Sequence, residues 1–214
     1  MNDEEGGARR RPDRRLERHE ATKQELVGMA WRLARERGLG SWSLRDLADA
    51  VGMRAPSLYV YFEGKNALFD AMFADGYRAF LARIDATPIE RNPHAMIRRA
   101  AHVFFDFCTE DPARFQLLFL RTIPGFAPSD ESYGLARQAL DRLVEVLRQA
   151  DVADPRDVDL WTAVLTGLAT QQISNDPGGD RWARVVDEAV DRFLAGRPPP
   201  RKARTPGRRR DRDA

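Results

Sequence analysis

The sequence predicts an all-α fold of about nine helices, and three observations predict it. No segment alternates apolar and polar residues with period two over a useful length, and β-branched residues are sparse. Helix-opening punctuation recurs, as two Ser/Thr-x-x-Glu/Asp boxes near the N-terminus and three Asn/Asp-Pro pairs further on. Between those marks, apolar residues return at three- and four-residue spacing.

The elements follow in order. Thr22-x-x-Glu25 reads as a capping box that opens helix 1, with Leu26, Ala30 and Leu33 on one face and a stop at Gly38. Ser43-x-x-Asp46 opens helix 2, which turns Leu44, Leu47, Ala48 and Val51 inward. Gly52 can adopt the left-handed conformation that a tight turn requires. Helix 3 begins near Arg54, tolerates Pro56 in its first turn, and is anchored by Leu58 and Phe62 at i and i+4. That leaves Ala55, Pro56, Tyr59 and Val60 facing outward. Helix 4 is expected from about 64 to 85, ending before Pro88. Asn92-Pro93, Asp111-Pro112 and Asp154-Pro155 each place a cap before a proline and open helices 5, 6 and 8. Helix 7 is expected over roughly 132–150. Asp176 to Gly179 is a turn, after which Asp180 caps helix 9, ending at Gly196.

The ends differ from the middle. Residues 1–18 and 197–214 are rich in Arg, Pro and Asp, and both are expected to be disordered tails. Residues 197–214 carry eight Lys/Arg against two Asp, while 69–196 has a net charge of −6. A helix-turn-helix domain is expected over 19–68 and a helical body over 69–196, with the boundary inside helix 4. No run of eighteen apolar residues suggests a membrane span, and nothing at the N-terminus resembles a secretory signal, so a cytoplasmic protein is expected. Cys108 is the only cysteine, and three scattered histidines make no metal site. No cofactor is expected. With no nucleophile–base pair and no glycine-rich phosphate loop, no enzyme is expected either.

Residues 44–65, LRDLADAVGMRAPSLYVYFEGK, concentrate the functional signal. Two short helices hinged at a glycine, the second exposing Tyr59 and Tyr61 and leading to a lysine, can place a helix in the DNA major groove. Lys65, at the start of helix 4, adds charge where free backbone N–H groups already favour anions. Leu47-Ala48, Gly52, Ser57-Leu58-Tyr59, Tyr61-Phe62, Lys65 and Leu68 together resemble the signature of TetR-type (tetracycline-repressor-like) transcriptional regulators. Weaker echoes of the family's regulatory domain lie at 112–119 and 160–168, where Thr166-Gly167 stands in place of a frequent His-Gly.

The resemblance implies specific DNA contacts. Arg45 would read a base edge, guanine being the natural partner of a bidentate guanidinium. Ala55 and Pro56 would lie near base edges, Ser43, Ser57, Tyr61 and Lys65 would hold phosphates, and Tyr59 would serve either purpose. Two departures stand out. Arg54 replaces the usual Ser/Thr cap of helix 3 and is left to contact DNA, and Tyr61 replaces a histidine.

In the body, helices 5, 6 and 8 carry apolar stripes. The resemblance implies a pocket for a small-molecule effector among them, with Phe104, Leu118 and Trp161 as the candidates. Core filling is the competing reading of the same residues. His102 and Asp106, at i and i+4, make either a polar contact inside the pocket or a pair on a wet face, and the charged neighbours Arg98, Arg99 and Glu110 favour the wet face. His19 and His94 look incidental. Gln171 and Gln172 either line the pocket floor or are exposed. Helix 9 is more apolar than one neighbour requires, and the family pairs helices 8 and 9 across a two-fold axis. Val164, Leu168, Trp182, Val186, Val190 and Phe193 are therefore expected at a homodimer interface. The resulting expectation is a dimeric repressor released from a palindromic double-stranded DNA operator by a small molecule. The alternative is an architectural DNA binder with no ligand.

Overall fold

The computed structural model describes residues 14–196. Within them nine α-helices run in the order α1 Arg14–Arg37, α2 Leu44–Ala50, α3 Ala55–Leu58, α4 Lys65–Asp85, α5 Pro93–Glu110, α6 Pro112–Phe119, α7 Asp130–Gln149, α8 Pro155–Asn175 and α9 Val186–Ala195, with no strand among them. The expected tails at 1–13 and 197–214 lie outside the described residues. Residues 14–18 are helical rather than tail. No described helix is long and apolar enough to cross a membrane.

The proline-opened helices form as the punctuation predicts. The Asn92 side chain accepts from the backbone N–H of His94 and Ala95, Asp111 from Arg114, and Asp154 from Arg156. Two ends differ. Thr22 is not a cap: it sits inside α1, where its Oγ1 donates to the Arg18 carbonyl at 3.0 Å. Nothing between residues 14 and 22 breaks a helix, so α1 starts two turns earlier. At the other end, Asp180 does not open α9 directly. A 3-10 turn over Ala183–Val185 intervenes, and the α-helix begins at Val186.

Two apolar clusters hold the chain together. One joins α1–α4 to α6 and α7 through Leu26, Trp31, Leu47, Leu58, Phe62, Leu68, Met72, Phe80, Phe107 and Leu118. It crosses the expected boundary at residue 68 without a break. The other joins α5, α8 and α9 around Ile97, Phe105, Trp161, Leu165, Val186 and Val190. At roughly 1.5–3 kcal/mol per buried large side chain, these clusters dominate the folding energy. The α4 helix packs on both α1 and α7, so it is physically common to the two halves.

The burial pattern corrects part of the expected dimer surface. Val186, Val190 and Phe193 are buried within their own chain, and Phe193 meets the Trp161 ring edge-on at 5.1 Å. An apolar face on α9 is thus covered by α5 and α8. Val164, Leu168 and Trp182 remain half-buried, and Leu160 stays 53% exposed beside them on α8.

Candidate functional site

The α2–α3 unit is built from local chemistry. Ser43 and Asp46 form the expected capping box: the Asp46 N–H donates to Ser43 Oγ, and the Ser43 N–H donates to Asp46 Oδ2 at 2.7 Å. The Ser43 hydroxyl also donates to Asp46, so its proton is committed within the protein rather than offered to a phosphate. Asp46 is held below the usual carboxylate range, first by its Ser43 hydrogen bonds and then by Arg37. Ala48 is fully buried where the helices cross. Gly52 takes φ +68°, and the Met53 N–H closes the turn on the Ala48 carbonyl at 2.9 Å.

Only one turn of regular helix follows. Arg54 is the cap residue of α3 and makes no side-chain capping bond. Leu58 and Phe62 are buried as anchors, which turns Arg54, Pro56, Ser57, Tyr59 and Val60 outward. Ala55 is half-buried against the core, not outward. Tyr59 and Val60, 59% and 70% exposed, form an apolar step on an otherwise polar surface. Arg45 lies exposed on α2. Among the described residues neither Arg45 nor Arg54 has a carboxylate partner. An unpaired guanidinium on a rigid helix can bond a guanine edge bidentately without first breaking an ion pair.

Two residues sit differently from expectation. The Lys65 ammonium donates to the Trp42 carbonyl and lies over the rings of Trp42 and Phe69, at 4.6 and 5.3 Å. Partial burial lowers its pKa, and Asp46 opposes that shift. Lys65 therefore fastens the start of α4 to the segment before α2. Tyr61 is half-buried and stacks on His19, with ring centroids 4.7 Å apart. His19 is no bystander in a tail: it belongs to α1 and braces the recognition segment. The uninterrupted run after Asp13 was the signal for this, since it continues the helical face of Leu26 backwards to His19.

Three polar links tie α1 to α4 and α6, and α4 to α7. Trp31 Nε1 donates to Asp75 on α4 at 2.9 Å. Arg35 donates twice to Asp111, the α6 cap, at 2.8 and 2.9 Å. Asp70 on α4 accepts from the Ser129 N–H and hydroxyl and from the Ser132 hydroxyl, pinning the start of α7.

A cavity of about 300 Å³ opens between α4, α5, α7 and α8. Tyr77, Phe80 and Ile84 of α4 form one wall, and Phe104, Phe119 and Trp161 supply aromatic surface. Phe104 and Trp161 line it. Leu118 does not. It fills the crossing of α4 and α6, where a Cβ on Gly76 would lie 2.7 Å from Leu118 Cδ1, and it faces a second hollow of about 440 Å³ beneath residues 120–128. Tyr77, Phe119 and Tyr133 border both spaces. Burial pushes the Tyr77 hydroxyl pKa up, and that hydroxyl donates to the Leu118 carbonyl at 3.3 Å. Thr166, at the family's histidine position, lines the first cavity.

Neither glutamine lines that cavity. Gln172 is buried and organises the α8–α9 connection: its amide N–H donates to the Asp176 and Gly179 carbonyls, and its oxygen accepts from the Trp182 N–H at 2.9 Å. His102 reaches Asp187 on α9 at 2.9 Å, and beside it Arg98 reaches Asp191. The wet face is therefore an α5–α9 ladder, with Asp106 exposed next to it.

Known proteins are similar to this chain in sequence and in fold. The family model "Bacterial regulatory proteins, tetR family" matches residues 26–72, and "Tetracyclin repressor-like, C-terminal domain" matches 97–197. A protein of Escherichia coli K12 named as a probable acrEF/envCD operon repressor is 23% identical over 191 residues, covering 81% of this chain and 87% of its own. The crystal structure of a tetR-family transcriptional regulator from Streptomyces coelicolor has a TM-score of 0.65 at 24% identity, over 82% of this chain and 80% of that one. A TetR Q116A variant from Acinetobacter baumannii AYE, in complex with minocycline, has a TM-score of 0.55 at 23% identity, over 81% and 94%. The two family models between them match more than half of the chain, at the helix-turn-helix and at the cavity-bearing body alike, and the protein belongs to the TetR family of DNA-binding transcriptional regulators.

Proposed function

We propose that the protein is a dimeric repressor that leaves a palindromic operator when a small molecule fills the α4–α8 cavity. One observation carries this reading. The N-terminal half of α4 packs into the DNA-binding core through Leu68, Phe69 and Met72, while its C-terminal half walls the cavity through Tyr77, Phe80 and Ile84. A ligand pressing on that wall tilts a single rigid element whose other end carries α2 and α3. The ligand must bind the DNA-incompetent arrangement better, since equal affinity for both shifts nothing.

Arg45 and Arg54 would supply base readout, Tyr59 and Val60 apolar contact with thymine methyls, and Ser57, Tyr61 and Lys65 phosphate contacts. Dimerisation is assigned to the outer face of α8, through Leu160, Val164 and Leu168, continued by Trp182. Two copies would then present two recognition segments to successive major grooves. A filled core would have favoured the architectural alternative, and a cavity against α4 supports the ligand-responsive reading. The TetR variant in complex with minocycline has the same fold, which adds to that support.

The test is a gel shift on DNA upstream of the protein's own gene at roughly 150 mM salt, where non-specific binding is weak. A retarded band that resists unrelated competitor DNA is expected. No such band on its own or neighbouring promoters would refute the reading.

A further inference from the structure

Resting on the effector cavity proposed above, we infer that the ligand is an amphipathic carboxylate: an apolar alkyl or aryl body seated against the aromatic wall, with its anionic head on Arg137. The ionisable lining of the cavity is one-sided. Arg137 and Arg142 border it, and among the described residues no Asp or Glu does. Arg142 is already engaged by Asp85 at 3.4 Å. Arg137 has no carboxylate partner among the described residues. Its guanidinium rests 5.6 Å from the Tyr133 ring centroid, which leaves its N–H groups free to bond an anion.

The remaining polar lining is neutral, from Tyr77, Thr87, Tyr133, Thr162 and Thr166. Three of those hydroxyls are spent within the protein, Tyr77 on Leu118, Thr87 on Arg83 and Thr162 on Asp159. A cation entering this space would meet a guanidinium and no counter-charge. A neutral apolar molecule would fill the wall and leave Arg137 unused. The net −6 over residues 69–196 does not reverse this preference. Charges farther off than about 8 Å are screened at physiological salt, and a direct guanidinium–carboxylate contact is not.

Isothermal titration of the full chain with decanoate and decyltrimethylammonium below their micelle concentrations, and decanol below its solubility limit, tests the head group at constant tail. Decanoate is expected to bind roughly tenfold or more tighter than the other two, the low end for a charge-assisted contact at a half-open site. In Arg137→Met the decanoate-to-decanol ratio should collapse toward parity, and Arg137→Lys should restore most of it. Equal binding of decanoate and decanol with no effect of Arg137→Met would overturn the carboxylate assignment and leave the cavity as an effector site. Tightest binding of the ammonium would do the same. No binding of any of the three, by a protein that still shifts its own promoter DNA, would overturn the cavity reading and this inference together, with DNA recognition intact.

Discussion

Arg35 on α1 holds Asp111, the cap of α6, through two hydrogen bonds of 2.8 and 2.9 Å, and Asp111 is only 5% exposed. The cap and the ion pair share one side chain: Asp111 Oδ1 accepts the Arg114 N–H while Oδ2 takes the guanidinium. Substitutions should separate the two roles. Arg35→Met is expected to cost about 1–2 kcal/mol, the low end for a charged hydrogen bond because half of Arg35 is in water. Asp111→Ala removes cap and pair and should cost about 2–4 kcal/mol. Asp111→Asn keeps a cap and should fall near Arg35→Met. Urea unfolding midpoints check the order.

The turn between α2 and α3 depends on backbone conformation alone. Gly52 has φ +68°, and nothing lies within 4 Å of where a Cβ would stand. Gly52→Ala is therefore expected to destabilise by about 1–2 kcal/mol through strain, with Gly52→Asn costing less because Asn tolerates the left-handed region. Equal losses for the two would point to a steric cause instead. Thermal melts decide between them.

Lys65 fastens the start of α4, and phosphate binding is the second role proposed for it. Its bond to the Trp42 carbonyl and its place over two rings make Lys65→Ala lower stability by about 1–2 kcal/mol. DNA affinity should fall for all sequences, with the salt slope reduced by about one. A melt and a salt titration of the same variant read the two effects separately.

Arg45 is the sharpest specificity test. Exposed on α2 and without a carboxylate partner among the described residues, it is expected to contribute about 1–3 kcal/mol of base discrimination. Arg45→Ala should weaken operator binding by that amount and leave non-specific binding nearly as it was. Competition with operator and scrambled duplexes measures the ratio.

Leu160 probes the proposed dimer. It is 53% exposed on α8, so Leu160→Glu should change single-chain stability by no more than about 0.5 kcal/mol. The same charge at a symmetric apolar contact should shift sedimentation toward monomer at micromolar concentration.

Much of this was legible in the sequence, for identifiable reasons. Caps such as Ser43 and Asp154 are local chemistry, so three- and four-residue patterns placed them correctly. Gly52 and its anchors Leu58 and Phe62 were legible because turn conformation and helical spacing are local too. What escaped depends on partners distant in sequence. Thr22 is the local exception: Thr22-x-x-Glu25 matches a cap pattern inside a run from Arg14 that nothing breaks. Val186, Val190 and Phe193 form an apolar stripe, and a stripe does not say whether its cover is α5 of the same chain or a second copy. Leu118 looked like pocket lining, and only the close approach at Gly76 shows that it fills a helix crossing.

The central claim is that an α2–α3 unit on each of two copies reads a two-fold-symmetric DNA site. DNase I footprinting of the full chain on its own upstream region tests it most directly. The account predicts two protected half-sites of inverted sequence, one helical turn or somewhat more apart, both weakened by Arg45→Ala. Diffuse protection that tracks protein concentration without sequence boundaries, and that disappears with modest salt, would contradict it.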